Sequence, residues 1–337
     1  MSQPSQMSHA SQSPAYVGRL APSPTGALHL GNARTFMIAW LRARSQGGKV
    51  IFRMEDLDHP KDKPGAAVQA VEDLKWLGFD WDEEYVQSER KDIYRRALES
   101  LGDFVYPCVC SRKDVESAQS APHAGEQLYY PGTCRGRFAT WREARSFLER
   151  ASDSRCSRSS SSSRMPCWRF KVPEETIVAF DDAFAGHYEQ DVSRTLGDFP
   201  LARDEFCAGY TLACAVDDLL MGVTEVVRGD DLLAATPAQI LLARALLGSS
   251  SSLFPLLSSL PTYCHVPLVV GKDGKRLAKR HGDTRIASYR EAGKTPEELI
   301  GFLAASCGWA AKGERVSLAD LVPRFDLGTI PHSPFMV

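Results

Sequence analysis

A chain of 337 residues that is 43% hydrophobic can bury a large core, and its formal net charge of −2 excludes a globally basic nucleic-acid binder, so any RNA partner must meet local basic patches such as Lys272 to Arg280 or Arg135-Gly136-Arg137. No apolar run approaches the length needed to cross a bilayer, and Met1 to Tyr16 is polar without the basic-then-apolar order of a secretory signal, which leads us to expect a cytoplasmic protein with a tail over 1–16. Nine cysteines, an odd number spread among apolar segments, suit a reducing compartment, and Cys207, Cys214, Cys264 and Cys307 read as core filler.

In chain order, Gly18-Arg19-Leu20-Ala21 reads as a strand, Pro22 to Asn32 as a Gly-bounded turn carrying a lone imidazole at His29, and Ala33 to Arg44 as a helix with Phe36, Met37, Trp40 and Leu41 at helical spacing. A helix N-terminus after such a turn offers backbone N–H groups and the positive end of the dipole to an anion, and His29 adds a donor. Gly47-Gly48 stops that helix and Lys49 to Met54 is a second strand, a strand–helix–strand unit that begins a parallel sheet. Glu55-Asp56-Leu57-Asp58 then sits at the carboxyl end of the strand, where open parallel sheets bind ligands. Ala66 to Gly78 and Ser88 to Leu101 read as amphipathic helices.

From Tyr106 to about Asp204 an inserted subdomain interrupts the sheet. In it, Cys108-Val109-Cys110 and Cys134 bring three thiols close to tight turns, which is a structural zinc site short of one ligand or a set of unrelated cysteines; His123 is the conventional fourth ligand and Tyr130 the unconventional one. Ser157 to Ser163 and Gly248 to Ser252 read as loops without chemistry. The sheet resumes at Gly222 to Arg228, followed by a helix over Thr236 to Leu247. The run His265 to Val270 leads into a basic loop, Gly271 to Gly282, which alone reads as a solvated hairpin and beside the His29 turn as a second phosphate-binding element; a last helix covers Thr295 to Cys307. Arg19, Ser23, Glu55, Tyr210 and Arg228 fall near the binding edge, and two arginines with one glutamate are the minimal charge complement of a dicarboxylic amino acid.

The two phosphate-type elements, His29-Leu30-Gly31-Asn32 and Arg276-Leu277-Ala278-Lys279-Arg280, resemble the His-Ile-Gly-His and Lys-Met-Ser-Lys-Ser signatures of class I aminoacyl-tRNA synthetases. Asn32 replaces the second histidine, Arg276 the first lysine and Ala278 the serine, whose hydroxyl is lost. Within that class the chain is similar, over about residues 17–337, to the glutamyl-queuosine tRNA(Asp) synthetases. The resemblance implies glutamate binding by Arg19, Ala21 and Ser23 of the Arg-x-Ala-Pro-Ser run, Glu55, Tyr210 and Arg228, with Thr211 standing where related sequences commonly have glutamine. It implies ATP binding by Pro22, Gly26, His29, Gly31, Asn32, Arg276 and Lys279, with His29 and Lys279 catalytic, and a structural zinc ion held by Cys108, Cys110, Tyr130 and Cys134.

The fold expected is α/β, a Rossmann-like doubly wound parallel sheet with an inserted zinc-binding subdomain and a short C-terminal helical piece. Its boundaries are 17–105 and 205–270 for the two halves of the catalytic domain, 106–204 for the insertion and 271–337 for the lysine loop and C-terminal helices. The expected chemistry is adenylation: a glutamate carboxylate, already ionised and in need of no general base, attacks the α-phosphate of ATP with its Mg2+. Because the chain ends at Val337, soon after the last helix, it resembles the truncated branch, which implies transfer of glutamate to queuosine in the anticodon loop of tRNA(Asp), performed by a monomer away from membranes. The rival readings are a glutamyl-tRNA synthetase charging a terminal ribose, an inactive zinc-stabilised RNA-binding protein and, more weakly, a nucleotidyltransferase.

Overall fold

The computed structural model describes residues 16–57, 62–118, 129–153, 164–205, 207–249, 251–254, 259–275, 277 and 283–337. Arg276 and Lys279, with the centre of the basic loop, lie outside the described residues, as do Asp58, His123 and the Ser157 to Ser163 tract.

The first half runs β1 (Val17–Leu20), α1 (Leu30–Arg44), β2 (Lys49–Met54), α2 (Ala66–Trp76), β3 (Glu83–Val86) and α3 (Lys91–Ser100). The middle of the chain supplies β4 (Val105–Cys108), α4 (Arg112–Ala118), α5 (Trp141–Asp153), β5 (Cys167–Phe170), the hairpin β6 (Ile177–Asp182) and β7 (Gly186–Asp191), α6 (Val192–Thr195) and β8 (Pro200–Ala202). Then come α7 (Tyr210–Leu220), β9 (Glu225–Gly229), α8 (Thr236–Gly248), β10 (Thr262–Val266), β11 (Val269–Val270), α9 (Ile286–Glu291), α10 (Pro296–Ala305), α11 (Leu318–Leu321) and β12 (Phe335–Met336).

Strand order explains where a ligand can sit. β1, β2 and β3 form one parallel set, and β9, β10 and β6 a second, edged by the antiparallel β7. The two sets meet at β1 and β9, where Thr224 N, just before β9, donates to Val17 O at 2.9 Å. The carboxyl ends of β1 and β9 flank a crevice at the reversal of strand order, the switch point of a doubly wound sheet. Alternation along the strands packs both faces: Val50, Phe52 and Met54 of β2 enter one core with α1 and α10, while Ile51 enters the other with α3, α7 and α8.

Several elements differ from the sequence reading for physical reasons. α1 starts at Leu30 rather than Ala33 because His29 caps it. Tyr16 belongs to the fold, its hydroxyl donating to Glu225 at 2.7 Å, and not to the tail. The helix α7 has no counterpart there, because it is buried on nearly every side and lacks an amphipathic stripe. The apolar run after His265 breaks at Pro267, which has no N–H to donate, and resumes as β11 against β12. The insertion is less separate than expected: β4, β5 and β8 form their own antiparallel sheet, but β6 lies parallel to β10 in the main one. One helical stretch of 19 residues, Asp230–Gly248, does reach the length and apolarity of a bilayer span at a mean hydropathy of 1.2, contrary to expectation; Ala238, Ile240, Leu242, Ala243 and Leu246 bury it in the core.

Candidate active site

At the switch point lies a cleft of about 930 Å³. Arg19, Ala21, Pro22, Ser23, Gly26, His29, Gly31, Asn32, Glu55, Tyr210 and Arg228, the described residues expected at the glutamate and ATP sites, all line it, together with Thr211. They come from the end of β1, the turn into α1, the end of β2, the start of α7 and the end of β9.

The His29 turn is closed by a reciprocal cap. His29 Nδ1 accepts from Gly31 N at 3.1 Å and from Asn32 N at 3.4 Å, Asn32 Oδ1 accepts from His29 N at 3.1 Å, and Leu30 N donates to Thr284 O at 3.1 Å. The first backbone donors of α1 are therefore engaged within the turn and with Thr284, and Gly31 lines the cleft. What the cap does supply is a fixed imidazole. A nitrogen that accepts two N–H groups carries no proton, so the neutral ring keeps its hydrogen on Nε2.

The same turn is tied to the basic loop. His29 forms an antiparallel bridge with Arg285, Ile286 N donates to Leu28 O at 2.9 Å, and Leu277 is buried in the core that holds α1. The segments on either side of Lys279 are thus fastened against or near the His29 turn.

At the other end of the cleft, fully buried Arg53 donates to Asp218 at 2.6 Å and to Glu55 at 2.9 Å, and Glu55 also accepts from the Cys214 thiol at 3.3 Å. Arg19 Nη1 donates to Val227 O at 2.9 Å, while its buried Nε lies 3.7 Å from Asp218 with no hydrogen bond. Arg228 touches no carboxylate among the described residues. Its Nε donates to His265 Nε2 at 3.0 Å, its Nη2 to Thr236 Oγ1 at 2.7 Å and its Nη1 to Tyr210 Oη at 3.4 Å, all neutral acceptors. A buried guanidinium with only neutral partners favours an anionic ligand beside it. Burial pushes the His265 imidazole below its usual range, and Arg228 adds to this against the opposing pull of Asp182. Burial also opposes ionisation of Asp182, but the hydrogen bond from His265 and three backbone N–H donors outweigh it and bring the carboxyl down to about 2.

Sequence reasoning did not single out Asp182, His265, Thr236 or Asp218 as site residues. An acidic pair, Asp217-Asp218, inside the apolar run of α7 was a usable signal, since such groups are buried only with partners. Asp182 carried none, because only the fold brings β6 beside β10.

In the insertion, the Sγ atoms of Cys108, Cys110 and Cys134 all lie within 4.8 Å of one another. Tyr130 Oη sits 3.2 Å from Cys108 Sγ and 3.5 Å from Cys110 Sγ, so the four residues converge. Arg169 donates to Cys108 Sγ at 3.3 Å and lies over the Tyr130 ring at 3.8 Å, a cation suited to thiolate and phenolate ligands. A hydrogen bond with Cys108 and burial push the Cys134 thiol up to about 12. A further thiol, Cys167, lies across the strands from Cys108 and was not foreseen.

A parallel α/β sheet with a charged crevice at its switch point, faced by a capped histidine turn and the flanks of a basic loop, defines a nucleotide-dependent ligase of the class I synthetase type. The family described as tRNA synthetases class I (E and Q), catalytic domain, matches residues 16–324, and the chain belongs to it. It is 44% identical over 333 residues to a protein of Symbiobacterium thermophilum named glutamyl-Q tRNA(Asp) synthetase, with 95% of each chain covered. It is 38% identical to the glutamate–tRNA ligase of Aquifex aeolicus, covering 94% of this chain and 63% of that one. A crystal structure of a glutamate tRNA ligase from Elizabethkingia meningosepticum in complex with its amino acid superposes with a TM-score of 0.74 at 28% identity, covering 96% of this chain and 66% of the other.

Proposed function

We propose that the protein uses ATP to activate L-glutamate as glutamyl-adenylate without needing tRNA, and passes the glutamate to queuosine in the anticodon loop of tRNA(Asp). The observation that carries the activation step is the buried Arg228, whose partners among the described residues are all neutral and which opens on the cleft that also contains the His29 turn. Arg228 and Arg19 would each take one carboxylate of the substrate and Glu55 its ammonium, while Tyr210 packs along the chain between them. The Nε2–H of His29 points a neutral donor at the phosphates, and Lys279 of the adjoining loop adds a charge to the oxygens of the pentavalent transition state. Arg276, Pro22, Gly26 and Asn32 complete the nucleotide site, with Mg2+ accompanying ATP. The acceptor rests on the relatives named glutamyl-Q tRNA(Asp) synthetase.

The converging donors Cys108, Cys110, Tyr130 and Cys134 fit a tetrahedral zinc ion, with Arg169 outside them balancing the anionic ligand set. Bound there, zinc would tie the strand end at Cys108 to the turn at Cys134 and supply structure, not chemistry.

Glutamate-dependent exchange of pyrophosphate into ATP without tRNA, followed by labelled glutamate transfer to tRNA(Asp) with and without queuosine, tests both steps. Transfer only to the queuosine-containing tRNA is the expected result. Charging of tRNA(Glu) at its terminal ribose would overturn the acceptor, and no exchange at all would overturn the activation.

A further inference from the structure

Arg228 is oriented by an imidazole, and the arrangement permits only one tautomer of it. An arginine can donate but never accept, so His265 Nε2, 3.0 Å from Arg228 Nε, must be the unprotonated nitrogen. The ring proton is therefore on Nδ1, where it is donated to Asp182 Oδ2 at 2.6 Å. Asp182 is held in turn: its Oδ1 accepts from the backbone N–H groups of His265 at 2.9 Å, Phe184 at 3.0 Å and Ala185 at 2.8 Å. Asp182 and His265 side chains are both fully buried.

We infer that Asp182, reaching in from the hairpin strand β6, and His265 of β10 are positioning residues for Arg228: the carboxylate fixes the imidazole tautomer, and the tautomer fixes the guanidinium against its ligand. This rests on the reading of Arg228 as a glutamate-carboxylate ligand. It places part of the amino-acid site's control in the insertion, outside the cleft walls.

The discriminating variant is Asp182→Asn. Three backbone donors keep the amide oxygen where Oδ1 now lies, so the NH2 group faces His265 Nδ1 and the ring must shift its proton to Nε2. Donor then opposes donor at Arg228. The loss of one charge-assisted hydrogen bond predicts a rise of about 10-fold to 100-fold in the KM for glutamate, with the KM for ATP unchanged. His265→Gln in the Asp182→Asn background restores an acceptor that has no tautomer to misplace, and should recover most of the lost glutamate affinity. Nitrogen-15 NMR of the imidazole gives a readout independent of activity: Nε2 unprotonated in the native protein and protonated in Asp182→Asn.

Equal rises in both KM values, no rise in either, or a native ring protonated on Nε2 would overturn the assignment. Absence of glutamate-dependent exchange in the native protein would instead overturn the functional reading, while the NMR result would still decide the tautomer.

Discussion

Replacing Gly31 by Ala should separate stability from activity. Gly31 does not occupy the left-handed region, so its backbone accepts alanine, and in α1 the change is favourable by up to about 1 kcal/mol. A Cβ at this position, however, would lie 3.0 Å from both Cε1 and Nδ1 of the His29 ring and 3.6 Å from Val269 Cβ. The imidazole must turn away, and the reciprocal cap between His29 and Asn32 loosens, at a cost of about 1 kcal/mol. These two terms nearly cancel, so the melting temperature should move by no more than about 4 °C. Pyrophosphate exchange should not be spared: a displaced transition-state donor costs on the order of 100-fold in turnover. Differential scanning calorimetry beside exchange kinetics checks both halves. A stable Gly31→Ala protein with native turnover would refute the claim that the cap aims His29 at the phosphates.

Arg228→Leu should raise the glutamate requirement far more than the ATP requirement, by about 100-fold or more in KM since a buried charged contact is lost; equal effects in substrate-saturation kinetics would remove Arg228 from the amino-acid site. Elemental analysis should find about one zinc per native chain, lost in the Cys108→Ser/Cys134→Ser protein, which should also melt earlier; a native protein active without metal would refute the cluster. Acid should destabilise the fold through the Asp182–His265 pair. The carboxyl, brought from 3.8 to about 2, contributes about 2 kcal/mol that is present above pH 3.8 and lost as pH falls through about 2, while His265, held below 6.5, contributes stability present above pH 6.5 and lost on acidification below it. Urea unfolding between pH 4 and 2 should show the carboxylate's part of this slope, and Asp182→Asn should flatten it there; identical slopes in both proteins would count against an ionised Asp182 beside a neutral His265.

How much of this could be read in the sequence depended on whether the information was local. The bounds of β2 were legible because Gly47-Gly48 stop the helix before it and a mostly apolar run, buried from Val50 to Met54, follows. The cleft residues were found because turn chemistry and strand ends mark a sheet's binding edge without the rest of the fold. Local reasoning left out one feature of the same turn: a histidine at the cap with asparagine three residues on forms a reciprocal capping box. Non-local partners were out of reach. Asp182 and His265 lie 83 residues apart, in an insertion and in a core strand, and only the pairing of β6 with β10 makes one the hydrogen-bond partner of the other. The sequence locates the residues that line the cleft, because most of them end strands or stand in turns before helices. The groups that orient them are supplied by neighbouring strands, so it is in the order of the sheet, β9 beside β10 beside β6, that the geometry around Arg228 is encoded.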